Sequence, residues 1–265
     1  MSIDLRLLTA LACGTPGPCI VGGTGGSGTR VTARVIRHGG VFIGTNLNVS
    51  EDALEFGDYS DRWIDTFMAH RTSPLSLAPQ AEMVRELRVV LEKHLASLGT
   101  GARAWGWKEP RSAFLLPFFH SQFPMLKFLH VVRDGRDLAY STNQNQLMKH
   151  GSTLLDSTET HWSQPLRSMT LWSRLNLLVA NYAEQNLAGQ YIVVRFEDLC
   201  AEPVRTIYRI FDFFSLQGDA EYVARLEVSP PESIGRWHTE DKKTLDELHR
   251  IGGNALQKFG YWMPR

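Results

Sequence analysis

The chain has little cysteine, no excess of either charge and no long hydrophobic run. Cys13, Cys19 and Cys200 are its three cysteines in 265 residues. The count is odd and the spacing matches no metal-ligand pattern. A disulfide framework is therefore disfavoured, no metal is expected, and a reducing, cytoplasmic compartment fits best. The 28 Lys and Arg balance 28 Asp and Glu. A general nucleic-acid binder needs a basic excess to displace counterions, so that class is set aside; a local basic pocket for a small anion is not. No apolar stretch approaches the ~18 residues that cross a bilayer. The apolar opening, Leu5 to Cys13, has Asp4 beside it and no basic flank beyond Arg6, which argues against a secretory signal. Repeats and low-complexity tracts are absent as well.

What remains is an ordinary globular composition, 43% hydrophobic and 21% charged. A single domain over 1–265 is long enough to bury a large core. Short apolar runs alternate with longer helix-period stretches. The runs are Cys19–Val21, Val41–Ile43, Ala104–Trp107, Phe128–Val132 and Tyr191–Phe196, each short enough for a strand buried on both faces. Between them, Pro79 to Ser97 places Met83, Leu87, Val90 and Leu91 on one stripe. Ser168 to Leu187 does the same with Leu171, Trp172, Leu175 and Val179. Pro203 to Phe214 opens with a proline suited to a first helical turn. The alternation predicts a three-layer α/β domain with about five parallel strands, P-loop NTPase-like, with ligands at the carboxyl ends of the strands.

The glycines crowd the first strand end. Gly22-Gly23-Thr24-Gly25-Gly26-Ser27-Gly28-Thr29-Arg30 runs from that strand into an expected helix. Such a loop turns tightly and points successive N–H groups, with the positive end of the helix, at one phosphate or sulfonate. Ser27 and Thr29 add hydroxyls. A glycine-rich turn without a ligand is the plain alternative. Gly23 and Gly28 have the spacing of a nucleotide-kinase P-loop, but Thr29 stands where that pattern needs lysine. A kinase or NTPase is therefore the runner-up.

A second anion site is expected where Phe128–Val132 ends at Arg133-Asp134-Gly135-Arg136-Asp137. Arg133 can grip a phosphate with two parallel hydrogen bonds. The helix expected from Asp134 carries Ser141 two turns in, on the same face. An Arg–Asp surface cluster at a helix start would read the same way.

Together these motifs resemble the sulfotransferase superfamily, whose donor is 3′-phosphoadenylyl sulfate (PAPS) and whose product is 3′-phosphoadenosine 5′-phosphate (PAP). Gly25, Gly26, Ser27, Gly28, Thr29 and Arg30 are similar to its 5′-phosphosulfate loop. Arg133 and Ser141 resemble its 3′-phosphate pair. Val194-Arg195-Phe196-Glu197-Asp198-Leu199 before Pro203 is similar to its aromatic-Glu-Asp-Leu segment. Trp107-Lys108-Glu109-Pro110-Arg111 resembles its central-strand lysine motif, and Gly235-Arg236-Trp237 its late loop over the donor. The matches keep the family's order from residue 19 to about 240.

The resemblance implies an in-line sulfuryl transfer to a hydroxyl or amine of a small-molecule, sugar or lipid acceptor, with no metal. Fixed N–H donors and a cation would carry the charge that builds on the leaving phosphate. The family places Lys or Arg before its Ser-Gly-Thr; here that residue is Gly26, and Lys108 is the favoured replacement over Arg30. Many relatives have a histidine two residues after the lysine as base, where this chain has Pro110. Other branches take a carboxylate after the first helix. Asp52 is then the favoured base, with Glu109 and Glu55 behind it. Against this, Ser50-Glu51-Asp52 also reads as a plain helix start. Phe196 flanks the adenine by analogy, or simply ends a buried strand. Lys149 to Arg167 reads equally as an acceptor lid or a surface excursion. Trp63, Trp105, Trp107 and Trp172 read as core, and Lys242-Lys243 as a solvated loop. Gly26 also keeps alive a binding protein that holds the nucleotide without turning it over.

Overall fold

The computed structural model describes residues 17–71 and 75–262. The Leu5–Cys13 stretch lies outside them. Five strands form the sheet: β1 (Cys19–Gly23), β2 (Val41–Phe42), β3 (Ala104–Lys108), β4 (Lys127–Val132) and β5 (Tyr191–Arg195). Their order is β2-β3-β1-β4-β5, and every pairing is parallel. β1 lies at the centre, with Cys19 opposite Gly106 on one side and Lys127 on the other. The chain leaves β1 towards β2, returns to β3 and then crosses to β4. The order therefore reverses beside the carboxyl end of β1, where doubly wound sheets open a crevice.

Alternation along the strands sends residues to opposite faces. Ile20, Trp105, Trp107 and Phe128 pack under α2 (Leu54–Ala69), α3 (Leu77–Leu95), α4 (Leu116–Gln122) and α7 (Gln164–Asn186). There Phe56 stacks on Trp107 with ring centroids 4.0 Å apart. Val21, Leu129, Val131 and Val194 face the other layer. It is built of α1 (Thr29–His38), α9 (Pro203–Phe214) and α10 (Ala220–Glu227). A third cluster joins Val132 and Trp172 to α11 (Lys242–Lys258) through Leu248 and Leu256. The four tryptophans read as core are all buried.

Several boundaries differ from expectation, and each difference has a local cause. Ser50 does not start a helix: α2 begins at Leu54, and residues 48–52 form a side-chain-braced turn. The Asn48 side-chain oxygen accepts from the N–H groups of Ser50 and Asp52 at 2.8 and 2.9 Å, while Glu51 adopts a positive φ of 61°. The helix after β4 is short. α5 spans Gly135–Ala139, capped by Asp134, which accepts from Arg136 N–H. Ser141 thus lies beyond α5, not two turns inside it. Phe196 opens α8 (Phe196–Ala201) and does not end a strand. The polar stretch Lys149–Arg167 runs from the end of α6 (Asn145–His150) into the start of α7, and its middle is tethered: Leu154 and Leu155 are buried, and Arg174 holds Glu159. Lys242 and Lys243 are exposed, as expected of them, but belong to the first turn of α11.

Candidate active site

Four strand ends deliver the site. The loop after β1 is the first. Gly26 and Gly28 sit at φ 83° and 95°, the left-handed region where glycine is favoured. A Cβ on Gly28 would fall 2.2 Å from Cδ2 of Phe196, so the loop backbone lies against that ring. The loop then enters α1 with no side-chain cap at its first turn, which leaves N–H groups for an anion. Ser27 is fully buried, and its Oγ has no hydrogen-bond partner among the described residues. From α6, Gln146 braces the loop: its Oε1 accepts from Gly25 N–H at 3.1 Å and its Nε2 donates to Gly23 C=O at 3.2 Å.

The end of β3 delivers Lys108. It is 1% exposed, and its Nζ donates to Ser50 C=O at 2.5 Å and to Asp52 Oδ1. Asn48 Nδ2 holds the other Asp52 oxygen at 2.9 Å. The turn that denies Ser50–Asp52 a helix is therefore what brings the carboxylate to the lysine. Burial holds Lys108 below its ordinary value, and the Asp52 charge works against that shift. Glu109 points elsewhere. It is 1% exposed, takes Arg111 Nε at 2.7 Å on Oε1, and lies against Gly57 of α2. Burial, then the Asp52 charge, pushes it up to about 8. Glu55 is exposed and bonded to Asn46. Of the three carboxylates weighed from the sequence, Asp52 alone lines the cleft.

That cleft has a volume of about 480 Å³ and runs between Gly25–Arg30, Ser50, Asp52, Lys108, Pro110 and Phe196. Arg30 is exposed at its edge, its guanidinium 3.5 Å from Val49 C=O. Cys200 lines it too, half-buried and free, as is buried Cys19.

The end of β4 delivers Arg133, whose guanidinium lies 5.3 Å from the Phe196 ring centroid. Phe196 thus stands between Arg133 and the Gly28 backbone. Arg133 Nε is buried without a partner among the described residues. Ser141 Oγ lies 3.6 Å from where a Cβ on Gly26 would be, so both members of the expected pair face the loop. Arg236 joins them. Burial, then the charge of nearby Arg133, holds it below its ordinary value. Arg133 Nη2 and Arg236 Nε both donate to Ser233 C=O, at 2.7 and 3.2 Å, and two guanidiniums that share one oxygen favour an anion between them. Trp237 does not join the cleft; its ring lies on Arg136, 3.6 Å from guanidinium carbon to centroid. Gln146 was invisible in the sequence because its partners are backbone atoms remote in the chain, and for Asp137 only the Arg133 pairing four residues away was local, its hold on the late loop being remote. Among the described residues, no group of three or more His, Cys, Asp or Glu side chains is placed to hold a metal.

The parallel sheet thus sets a glycine loop at the end of central β1, with buried Lys108 at the end of β3 on one side and Arg133 at the end of β4 on the other. The model of the sulfotransferase family matches residues 18–220, and the chain belongs to that family. It is 31% identical over 111 residues to a Caenorhabditis elegans protein named "Putative protein-tyrosine sulfotransferase". That match covers 41% of this chain and 39% of the relative, so the chain matches about two fifths of the relative's length. The fold is that of the sulfotransferase domain of the Synechococcus PCC 7002 olefin synthase, with TM-score 0.55, 15% identity, and 94% of this chain and 97% of that one covered. It is also that of mouse sulfotransferase SULT7A1, solved with PAP, with TM-score 0.51, 12% identity, and 98% and 94% covered.

Proposed function

We propose that this chain, as one sulfotransferase-like domain, moves a sulfuryl group from PAPS to a hydroxyl or amine of a small-molecule, sugar or lipid acceptor. One observation carries the proposal: the Lys108–Asp52 pair shares a cleft with the glycine loop, while Ser141 Oγ faces Gly26 of that loop and Arg133 lies on Phe196, whose ring meets Gly28. The residues suit the donor. The buried, unpartnered Ser27 Oγ and Arg133 Nε are polar groups that a ligand would satisfy.

The loop N–H groups, with Ser27 and Thr29, bind the 5′-phosphosulfate, and Arg30 flanks it. Arg133, Ser141 and Arg236 bind the 3′-phosphate, and Phe196 flanks the adenine. Asp52 takes the proton of the acceptor as the acceptor oxygen or nitrogen bonds to sulfur and the bond from sulfur to the phosphate oxygen breaks. Once protonated, Asp52 loosens its hold on Lys108. The lysine charge is then free for the leaving phosphate oxygen, where negative charge develops. Lys108 thereby fills the place left by Gly26. A cytoplasmic setting is part of the proposal, supported by free Cys19 and Cys200. Among the described residues no helix is long and apolar enough to cross a membrane.

Calorimetry with PAP and ADP tests the donor. Two charge-assisted contacts to the 3′-phosphate predict PAP binding about 100-fold tighter than ADP, without magnesium. Equal affinities, or a magnesium requirement, would instead mark a nucleotide kinase or NTPase. Release of PAP from PAPS with a panel of acceptors then separates an enzyme from a binding protein.

A further inference from the structure

Asp137 is a 1% exposed carboxylate that the transfer chemistry leaves without a role. It lies in α5, one turn after Arg133. Its Oδ2 accepts from Arg133 Nη2 at 3.3 Å and from Gly235 N–H at 2.9 Å, and its Oδ1 faces Trp237 N–H at 3.5 Å. Arg133 Nη2 donates twice more to the same loop, to Ser233 C=O at 2.7 Å and Ser233 Oγ at 3.0 Å. Arg236 is held from both sides, by Ser233 C=O of its own loop at 3.2 Å and by Tyr140 C=O at the end of α5 at 3.1 Å. A buried carboxylate is costly unless donors converge on it. Here the donors come from the end of β4 and from a loop about 100 residues later.

We propose that Asp137 is a positioning residue that ties the Arg133 guanidinium to the 233–237 loop. Arg133 and Arg236 are thereby held at a fixed separation before the 3′-phosphate arrives. The tether engages Arg133 Nη2 and leaves the buried, unpartnered Nε, with Nη1, to meet the ligand. The inference rests on the donor assignment above. Its sign is diagnostic: a negative charge beside a phosphate site repels phosphate, so deleting the charge alone tightens binding. Deleting the tether leaves Arg133 on Ser233 alone and releases the Gly235 N–H that anchors the loop carrying Arg236, and so weakens binding.

The test compares wild type, Asp137→Ala and Asp137→Asn with PAP and ADP by calorimetry. Asp137→Ala is expected to weaken PAP about ten-fold, the loss of a charged hydrogen bond. ADP, which lacks the 3′-phosphate, stays within about two-fold. Asp137→Asn removes the charge, keeps one oxygen for Arg133 and Gly235, and is expected to bind PAP at least as tightly as wild type. In turnover, Asp137→Ala raises the donor KM and leaves kcat within about three-fold. Unchanged or tighter PAP binding by Asp137→Ala overturns the proposal. Hydrogen exchange on the wild type decides the matter should that variant not fold. PAP must slow the amides of 233–237 more than ADP does, and equal protection overturns the tether. A wild type with no preference for PAP sinks the donor assignment instead, so the two failures are distinguishable.

Discussion

Replacing Lys108 with methionine isolates its charge from its packing. The side chain is 1% exposed and reaches from the end of β3 to Asp52 and Ser50 C=O. Methionine fills much of that volume, so the sheet stays closed. Asp52 loses its counterion but keeps Asn48, and its side chain is 20% exposed, which lets water replace part of what is lost. The stability cost is therefore about 1–3 kcal/mol, below the figure for a fully buried pair broken from one side. The catalytic cost is larger. A fixed group aimed at developing negative charge is worth about 10²–10³ in kcat. PAP affinity, set mainly by the loop N–H groups and the arginines, changes by ~3-fold. Single-turnover kinetics with labelled PAPS read the chemical step directly, and calorimetry reads binding. Adding Asp52→Asn completes a cycle, and because the two side chains touch, their effects fall short of additive by about 0.5–3 kcal/mol. Unchanged kcat in Lys108→Met, or strict additivity, would refute the role given to the pair.

Gly28→Ala is expected to cost about 2–4 kcal/mol in denaturant unfolding and to abolish PAP binding. The added Cβ meets Phe196 at 2.2 Å on a left-handed backbone; wild-type stability would mean that the ring moves freely. Acid sensitivity is expected from His130, which burial holds down at about 4. Asn176 donates to Trp172 C=O, so its Oδ1 accepts from His130 Nε2–H at 2.7 Å, and Nδ1 accepts from the Tyr191 hydroxyl at 2.8 Å. The unfolded chain binds a proton near 6.5 and the folded one only near 4. Stability is thus lost as pH falls through that window, by about 3 kcal/mol. Chemical denaturation across the window reads the slope, and His130→Gln should flatten it; an equal slope in the variant would assign the effect elsewhere.

The glycine loop after β1 and the Arg133 turn after β4 were legible as strand ends because local chemistry forms them. Glycine clusters after apolar runs mark turns at strand ends whatever surrounds them, and the Gly23–Thr29 spacing carries its own geometry. The alternation of runs and helices fixed the layer count for the same reason: periodicity is a property of neighbours in the chain. The Ser50–Asp52 segment shows the limit. Its composition favours a helix start, yet Asn48 closes a turn there instead and hands Asp52 to Lys108. The Asn48 turn is itself a local signal, but its meeting with Lys108 is not legible, because that lysine is 56 residues from Asp52.

The sequence by itself determined the α/β class, the parallel strands, the glycine loop and the identity of the lysine and arginine at two strand ends. These follow from residue type and spacing within a dozen or so positions. Only the tertiary structure decided that Asp52 and not Glu109 meets the cleft, that Trp237 turns onto Arg136, and that Gln146 and Asp137 brace the two cradles. Each of these is a contact between segments far apart in the chain. Burial and hydrogen-bond satisfaction, not propensity, select such contacts, and both come into being only when the layers close.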